Sequence, residues 1–125
     1  HSLTTASIAR ALVPKYAAGQ VDPSDAYIAG LLHDFGKVVF AQFMPEDFKK
    51  ALKFSQANQS SLHLALREIV GTDHAVVGAM LVEKWRFSPE LVDTIRHQYS
   101  PERKETPMIA CVFAANQISK KLEFT

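Results

Sequence analysis

Asp22-Pro23-Ser24-Asp25-Ala26-Tyr27-Ile28-Ala29-Gly30-Leu31-Leu32-His33-Asp34-Phe35-Gly36-Lys37 is the stretch on which the reading of the fold turns. Asp22 can accept hydrogen bonds from the free backbone N–H groups of a helix start, and Pro23 suits the first helical position, where its missing donor costs nothing. Tyr27, Ile28, Leu31 and Leu32 follow at helical spacing. The helix is expected to reach His33-Asp34 before Gly36 breaks it.

Outward from this stretch the same punctuation recurs. Upstream, Ala9, Leu12, Val13 and Tyr16 fall at helical spacing, with Gly19 as a stop. Downstream, Met44-Pro45-Glu46-Asp47, Ser88-Pro89-Glu90 and Thr106-Pro107 each place a proline where a helix should begin, the last two after a capping hydroxyl. Leu62, Ala65, Leu66, Ile69 and Val70 form one apolar stripe, and His74, Val77, Gly78, Leu81 and Trp85 form another, capped by Asp73. Ile109, Val112, Phe113 and Asn116 line one face of the last helix. Lys37-Val38-Val39-Phe40 is β-prone but too short to build a sheet, and no Asn-Gly or Asp-Gly hairpin turn occurs. The expectation is all-α: a compact bundle of about six to eight helices joined by short loops. No repeat, low-complexity tract or linker divides residues 1–125, which read as one domain.

Composition narrows the function classes. The chain has 125 residues, with 47% hydrophobic and 22% charged, a globular balance with enough length for one sizeable core. Fourteen basic against 13 acidic residues leave a net charge of +1, which argues against a dedicated nucleic-acid binder. No uncharged apolar run approaches the roughly 20 residues of a membrane helix. The single cysteine, Cys111, rules out a disulfide framework within the chain and fits a reducing cytoplasm, the expected location. The chain begins at His1 rather than Met, and is expected to be a piece of a longer protein.

Chemistry concentrates at Ala29-Gly30-Leu31-Leu32-His33-Asp34-Phe35-Gly36-Lys37. Adjacent residues on a regular helix point about 100° apart. At a helix end the backbone relaxes, so an imidazole nitrogen and a carboxylate oxygen can converge on one cation. Gly36 would supply the freedom for a sharp exit, and Lys37 would be near enough to meet an anion such as phosphate. Taken alone, the His-Asp pair fits an ordinary helix C-terminus hydrogen-bonded to backbone better than a cation site.

Its context resembles a known family. His1-Ser2 opening a helix, the His33-Asp34 segment, Glu68 with His74 and Gly78 before Trp85, and His97 closing Val92-Asp93-Thr94-Ile95-Arg96-His97 together resemble the HD superfamily. Gly71-Thr72-Asp73-His74-Ala75-Val76-Val77-Gly78-Ala79, with Leu81 and Trp85, is similar to its HDOD branch, an all-helical bacterial module usually attached to signalling or regulatory proteins. The resemblance runs from His1 to about Asn116. It implies that His1, His33, Asp34 and a distant acidic position would bind a divalent metal, as in active HD phosphohydrolases. That distant position matches Asn116. An amide oxygen is neutral, so the site keeps one formal negative charge, from Asp34, and one divalent ion is expected to bind weakly.

A second ion would need more. His74 and His97 match two of the additional histidines of two-metal relatives such as the HD-GYP phosphodiesterases, but Gln98 stands where a second histidine of a pair would fall. Tyr99-Ser100-Pro101 only echoes the Gly-Tyr-Pro signature. His74 and His97 are therefore read as remnants of a second site, and two-metal hydrolysis is not expected. His74 could equally be a core or capping histidine. His97 at a helix end could serve the dipole, worth about 0.3–1 kcal/mol.

Other residues carry plainer expectations. His63 lies outside the pattern and is expected to be exposed, and Glu68 divides evenly between a buried and a surface role. Cys111 should pack in the core. Phe35, Phe40, Phe43, Met44 and Phe48 read as core, with an exposed docking patch as the other option. Lys49-Lys50 and Lys120-Lys121 read as solvated faces. The functional expectation is a non-catalytic regulatory module whose degenerate site contacts a signalling protein, an attached domain, or a nucleotide or cyclic dinucleotide. The alternative is a metal-dependent phosphohydrolase, in which Lys37 would stabilise phosphate charge.

Overall fold

In the computed structural model, residues 1–99 and 106–123 are described. They form eight helices: α1 (Ser2–Tyr16), α2 (Pro23–Leu32), α3 (Phe35–Phe43), α4 (Pro45–Asn58), α5 (Leu62–Val70), α6 (His74–Lys84), α7 (Pro89–Arg96) and α8 (Pro107–Glu123). No strand occurs among the described residues. None of these helices is long and apolar enough to cross a membrane. The domain is all-α, as the proline and capping signals require.

Those signals act where they were placed. Asp22 accepts from the Ser24 N–H at 2.8 Å, with Pro23 at the first helical position of α2. Asp73 accepts from the Ala75 and Val76 N–H groups at 2.8 and 3.0 Å and meets Arg67 Nε at 2.6 Å, so α6 starts from a fully buried carboxylate. Ser88 and Thr106 cap α7 and α8 through their hydroxyls.

Two apolar clusters hold the helices together. The larger joins α1, α2, α6, α7 and α8 through Ala9, Val13, Ala29, Val82, Ile95, Met108 and Val112. The smaller joins α3, α4 and α5 through Phe40, Ala51, Ala65 and Leu66. Cys111 is buried in the larger cluster, which bears out its packing role. Small residues set the closest approach of α1 and α2: a Cβ added to Gly30 would lie 2.8 Å from the Ala6 Cα.

Several local expectations are corrected. Gly36 does not break a helix but lies inside α3, where its missing side chain lets the backbone press against His74; an added Cβ would stand 1.9 Å from the His74 carbonyl oxygen. Lys37-Val38-Val39-Phe40, in keeping with a run too short to build a sheet, is helical, tertiary packing outweighing its weak β-propensity. Tyr16 is 76% exposed despite its helical spacing. The phenylalanine cluster divides: Phe40 is core, while Phe43 is 75% exposed at the end of α3.

Candidate functional site

The break between α2 and α3 is two residues long, and those residues are His33 and Asp34. His33 keeps helical dihedrals, whereas Asp34 sits at φ −100° and ψ 7°, in the sparsely populated bridge region where active-site residues recur. Both side chains are thereby turned toward one cleft. The fully buried His33 ring donates from Nδ1 to the Gly30 carbonyl, which leaves Nε2 without a hydrogen-bond partner, 3.3 Å from Asp34 Oδ2. Fixing one imidazole nitrogen on a carbonyl so that the other faces a carboxylate is how proteins orient a metal-binding histidine.

The start of α1 and the face of α8 complete the cluster. His1, capping α1, brings Nε2 to 3.5 Å from Asp34 Oδ2. The same nitrogen lies 2.9 Å from Asn116 Oδ1 on α8, and Nδ1 lies 2.9 Å from Glu123 Oε1. Both nitrogens of His1 thus have side-chain oxygens beside them, with Ser119 Oγ also 3.2 Å from Nδ1. Ligand atoms of His1, His33 and Asp34 lie within 4.8 Å of one another. Nitrogen and oxygen ligands at about 2.1 Å around a tetrahedral ion are spaced roughly 3.4 Å apart, close to the 3.3 and 3.5 Å separations here. The three residues therefore fit one cation. Asn116 reaches this group through His1, while Lys37 Nζ competes for the same carboxylate oxygen at 3.3 Å.

His74, the first residue of α6, stands behind the carboxylate with Nε2 3.8 Å from Asp34 Oδ1. That nitrogen is committed to Tyr99, whose phenol donates its proton to it at 2.5 Å, while Nδ1 is buried without a hydrogen-bond partner. Burial, with Lys37 adding to it, lowers the His74 pKa to about 3, against the opposing pull of Asp34. Burial also holds the Tyr99 phenol far above its ordinary range. His74 is expected to remain neutral throughout the usual pH range, so its ring carbons should show no shift in a two-dimensional NMR titration from pH 8 to pH 5. Unfolded chains would protonate it near pH 6.5, so its contribution to stability is whole above that pH and is lost progressively toward pH 3. A midpoint near 6.5 in the folded protein would contradict this.

His97 lies apart from the three-residue group: it caps α7 through its backbone N–H, half-buried. Gln98 is a strut, donating from Nε2 to the His33 and Ile95 carbonyls at 2.7 and 2.9 Å. Ser100 and Pro101 lie outside the described residues. Glu68 is exposed.

The cleft includes residues the sequence reading left out. His63 is half-buried rather than exposed; its ring stacks on Tyr99 with centroids 4.1 Å apart and planes 3° from parallel. Burial lowers its pKa. Lys120 is no solvated surface lysine: with His1, Asp34, Lys37 and Glu123 it lines an open cavity of about 370 Å³. Burial and the nearby Lys37 lower its pKa. Ser119, Lys120 and Glu123 follow Asn116 at three, four and seven residues, the helical spacing that could have disclosed them. No local signal points to His63.

An all-helical domain with a His-Asp pair at a helix break, joined there by a histidine from a distant helix end, has the form of an HD-superfamily domain. The HDOD domain family model matches residues 1–101, and the chain belongs to that family. It is 32% identical over 103 residues to an uncharacterized protein of Treponema pallidum (strain Nichols), covering 80% of this chain and 20% of that one. Among solved structures it resembles an HDOD domain protein of unknown function from Geobacter sulfurreducens, with 27% identity, TM-score 0.86, and coverage of 94% and 40% of the two chains. A protein provisionally named a phosphohydrolase, from Shewanella amazonensis SB2B, matches with 25% identity, TM-score 0.87 and coverage of 99% and 45%. One provisionally named a signal transduction protein, from Marinobacter aquaeolei VT8, matches with 25% identity, TM-score 0.86 and coverage of 96% and 27%. The chain thus spans less than half the length of each of these relatives.

Proposed function

We propose that this domain is a non-catalytic regulatory module of signal transduction, with a degenerate HD metal site, working by binding a nucleotide-like ligand or a partner protein. The observation that supports this reading most directly is the charge balance at Asp34. The convergent group contains one carboxylate, and Lys37 already stands 3.3 Å from its oxygen. Asn116 contributes a neutral oxygen, already engaged by His1. A divalent ion there would meet one anionic ligand and an adjacent ammonium, so its affinity is low. When bound, such an ion would polarise a phosphate oxygen or activate a water molecule. The residues placed to hold it are His1, His33 and Asp34.

A phosphohydrolase remains the second reading, favoured by the ion-like spacing of those same three residues. Protein prepared without chelator and supplied with 1 mM Mn²⁺ should bind the ion with a dissociation constant of roughly 0.1 mM or weaker and release no nitrophenolate from bis(p-nitrophenyl) phosphate. Sustained, metal-dependent turnover abolished by Asp34→Asn would replace the regulatory reading with the enzymatic one.

A further inference from the structure

The mouth of the cleft holds an ammonium group that the cluster around Asp34 does not use. Lys120 sits one turn beyond Asn116 on α8, half-buried, and lines the same cavity as Lys37. The carboxylates lining that cavity are engaged: Asp34 by His1, His33 and Lys37, and Glu123 by His1 at 2.9 Å. Among the described residues no carboxylate lies within 4.0 Å of Lys120 Nζ, whose partner is the Tyr99 ring face, 5.9 Å away. Two ammonium groups drawn into one partly desolvated cleft repel each other, and the Asp34 and Glu123 carboxylates that attract Lys120 are out of contact with it and shared with His1 and Lys37, so an anion held between the two ammonium groups is favoured.

Resting on the nucleotide-binding branch of the reading above, we propose that Lys120 and Lys37 form a two-ammonium seat for the phosphate group of a nucleotide-like ligand. Each lysine has three donors, and Lys37 spends one on Asp34, so both retain N–H groups for a shared phosphate. Lysine binds phosphate as a point charge and needs no planar pairing. A phosphate presents several charged oxygens to two cations at once, whereas a carboxylate divides a single charge. The cavity, about 370 Å³, lies within the size range of small-molecule sites, leaving room for more than the phosphate itself.

Titration calorimetry with inorganic phosphate and adenosine monophosphate tests the seat. Both probes should bind the unaltered chain, and Lys120→Met should weaken each by about tenfold or more, the loss expected for one charge-assisted hydrogen bond. Lys120→Arg, which keeps the charge, should stay within about threefold. Circular dichroism of each variant checks that the helices persist. Unchanged phosphate affinity in Lys120→Met, acetate binding as tightly as phosphate, or no binding of either probe at 10 mM would each overturn the proposal. Metal-dependent turnover would remove the non-catalytic reading and leave a Lys120 effect standing; loss of the Lys120 effect alone removes only the seat.

Discussion

Gly36→Ala is expected to destabilise the domain by about 3 kcal/mol or more, lowering its melting temperature by on the order of 10 °C. The reason is steric and lies in backbone, not in a yielding side chain. The new methyl would stand 1.9 Å from the His74 carbonyl oxygen and 2.7 and 2.9 Å from its carbonyl carbon and Cα. Relief requires α3 to move away from the start of α6. That movement would separate Asp34 from His74 and loosen the smaller apolar cluster around Phe40. Gly78→Ala is the matched control. Gly78 faces Gly36 across the same crossing, but its added Cβ would meet nothing nearer than 3.4 Å, so its cost should stay within about 1 kcal/mol. Urea unfolding of both variants reads the difference. Equal, small effects would show that the α3–α6 crossing is looser than described.

Asn116→Asp is expected to raise Mn²⁺ affinity by about tenfold or more. At an effective dielectric constant near 20, a unit charge about 4 Å from another is worth around 4 kcal/mol, and each 1.4 kcal/mol is a factor of ten in affinity. Desolvation consumes part of that gain. The Asn116 side-chain oxygen and Asp34 Oδ2 lie 2.9 and 3.5 Å from the same His1 nitrogen, so the introduced carboxylate would approach the existing one. Without metal the two anions should repel, lowering the melting temperature. Mn²⁺ should then restore stability in proportion to the logarithm of its concentration. Calorimetry and thermal melts with and without ion measure both halves of this expectation. An affinity equal to that of the unaltered chain would mean that charge is not what limits ion binding here.

Much of the fold was legible because its helix starts are written in local chemistry. Asp22-Pro23, Pro45, Asp73, Ser88-Pro89 and Thr106-Pro107 act within a turn of their own positions, where sequence neighbours are also spatial neighbours. The break at His33-Asp34 was displaced toward Gly36 for the opposite reason. Nothing adjacent to Gly36 reveals that a distant backbone carbonyl will press on it. Of the candidate site, His1, His33 and Asp34 lie within 4.8 Å of one another, Asn116 contacts His1 and Lys37 contacts Asp34; the resemblance, and no local pattern, pointed to His1 and Asn116. His63 and Tyr99 stayed hidden because a ring stack between α5 and the segment after α7 leaves no mark on either local pattern. Lys120 was hidden differently: its helical spacing from Asn116 was available, but a pair of lysines reads first as solvent-facing.

Gln98 carries a longer consequence. With one amide group it joins the end of α7 to the carbonyl of His33, where a liganding histidine would otherwise be expected. The walls of the cleft are thus tied to each other by an amide as well as by the chain. A change at Gln98 would therefore reach His33 from behind, through its backbone carbonyl, and leave the imidazole's own hydrogen bond untouched.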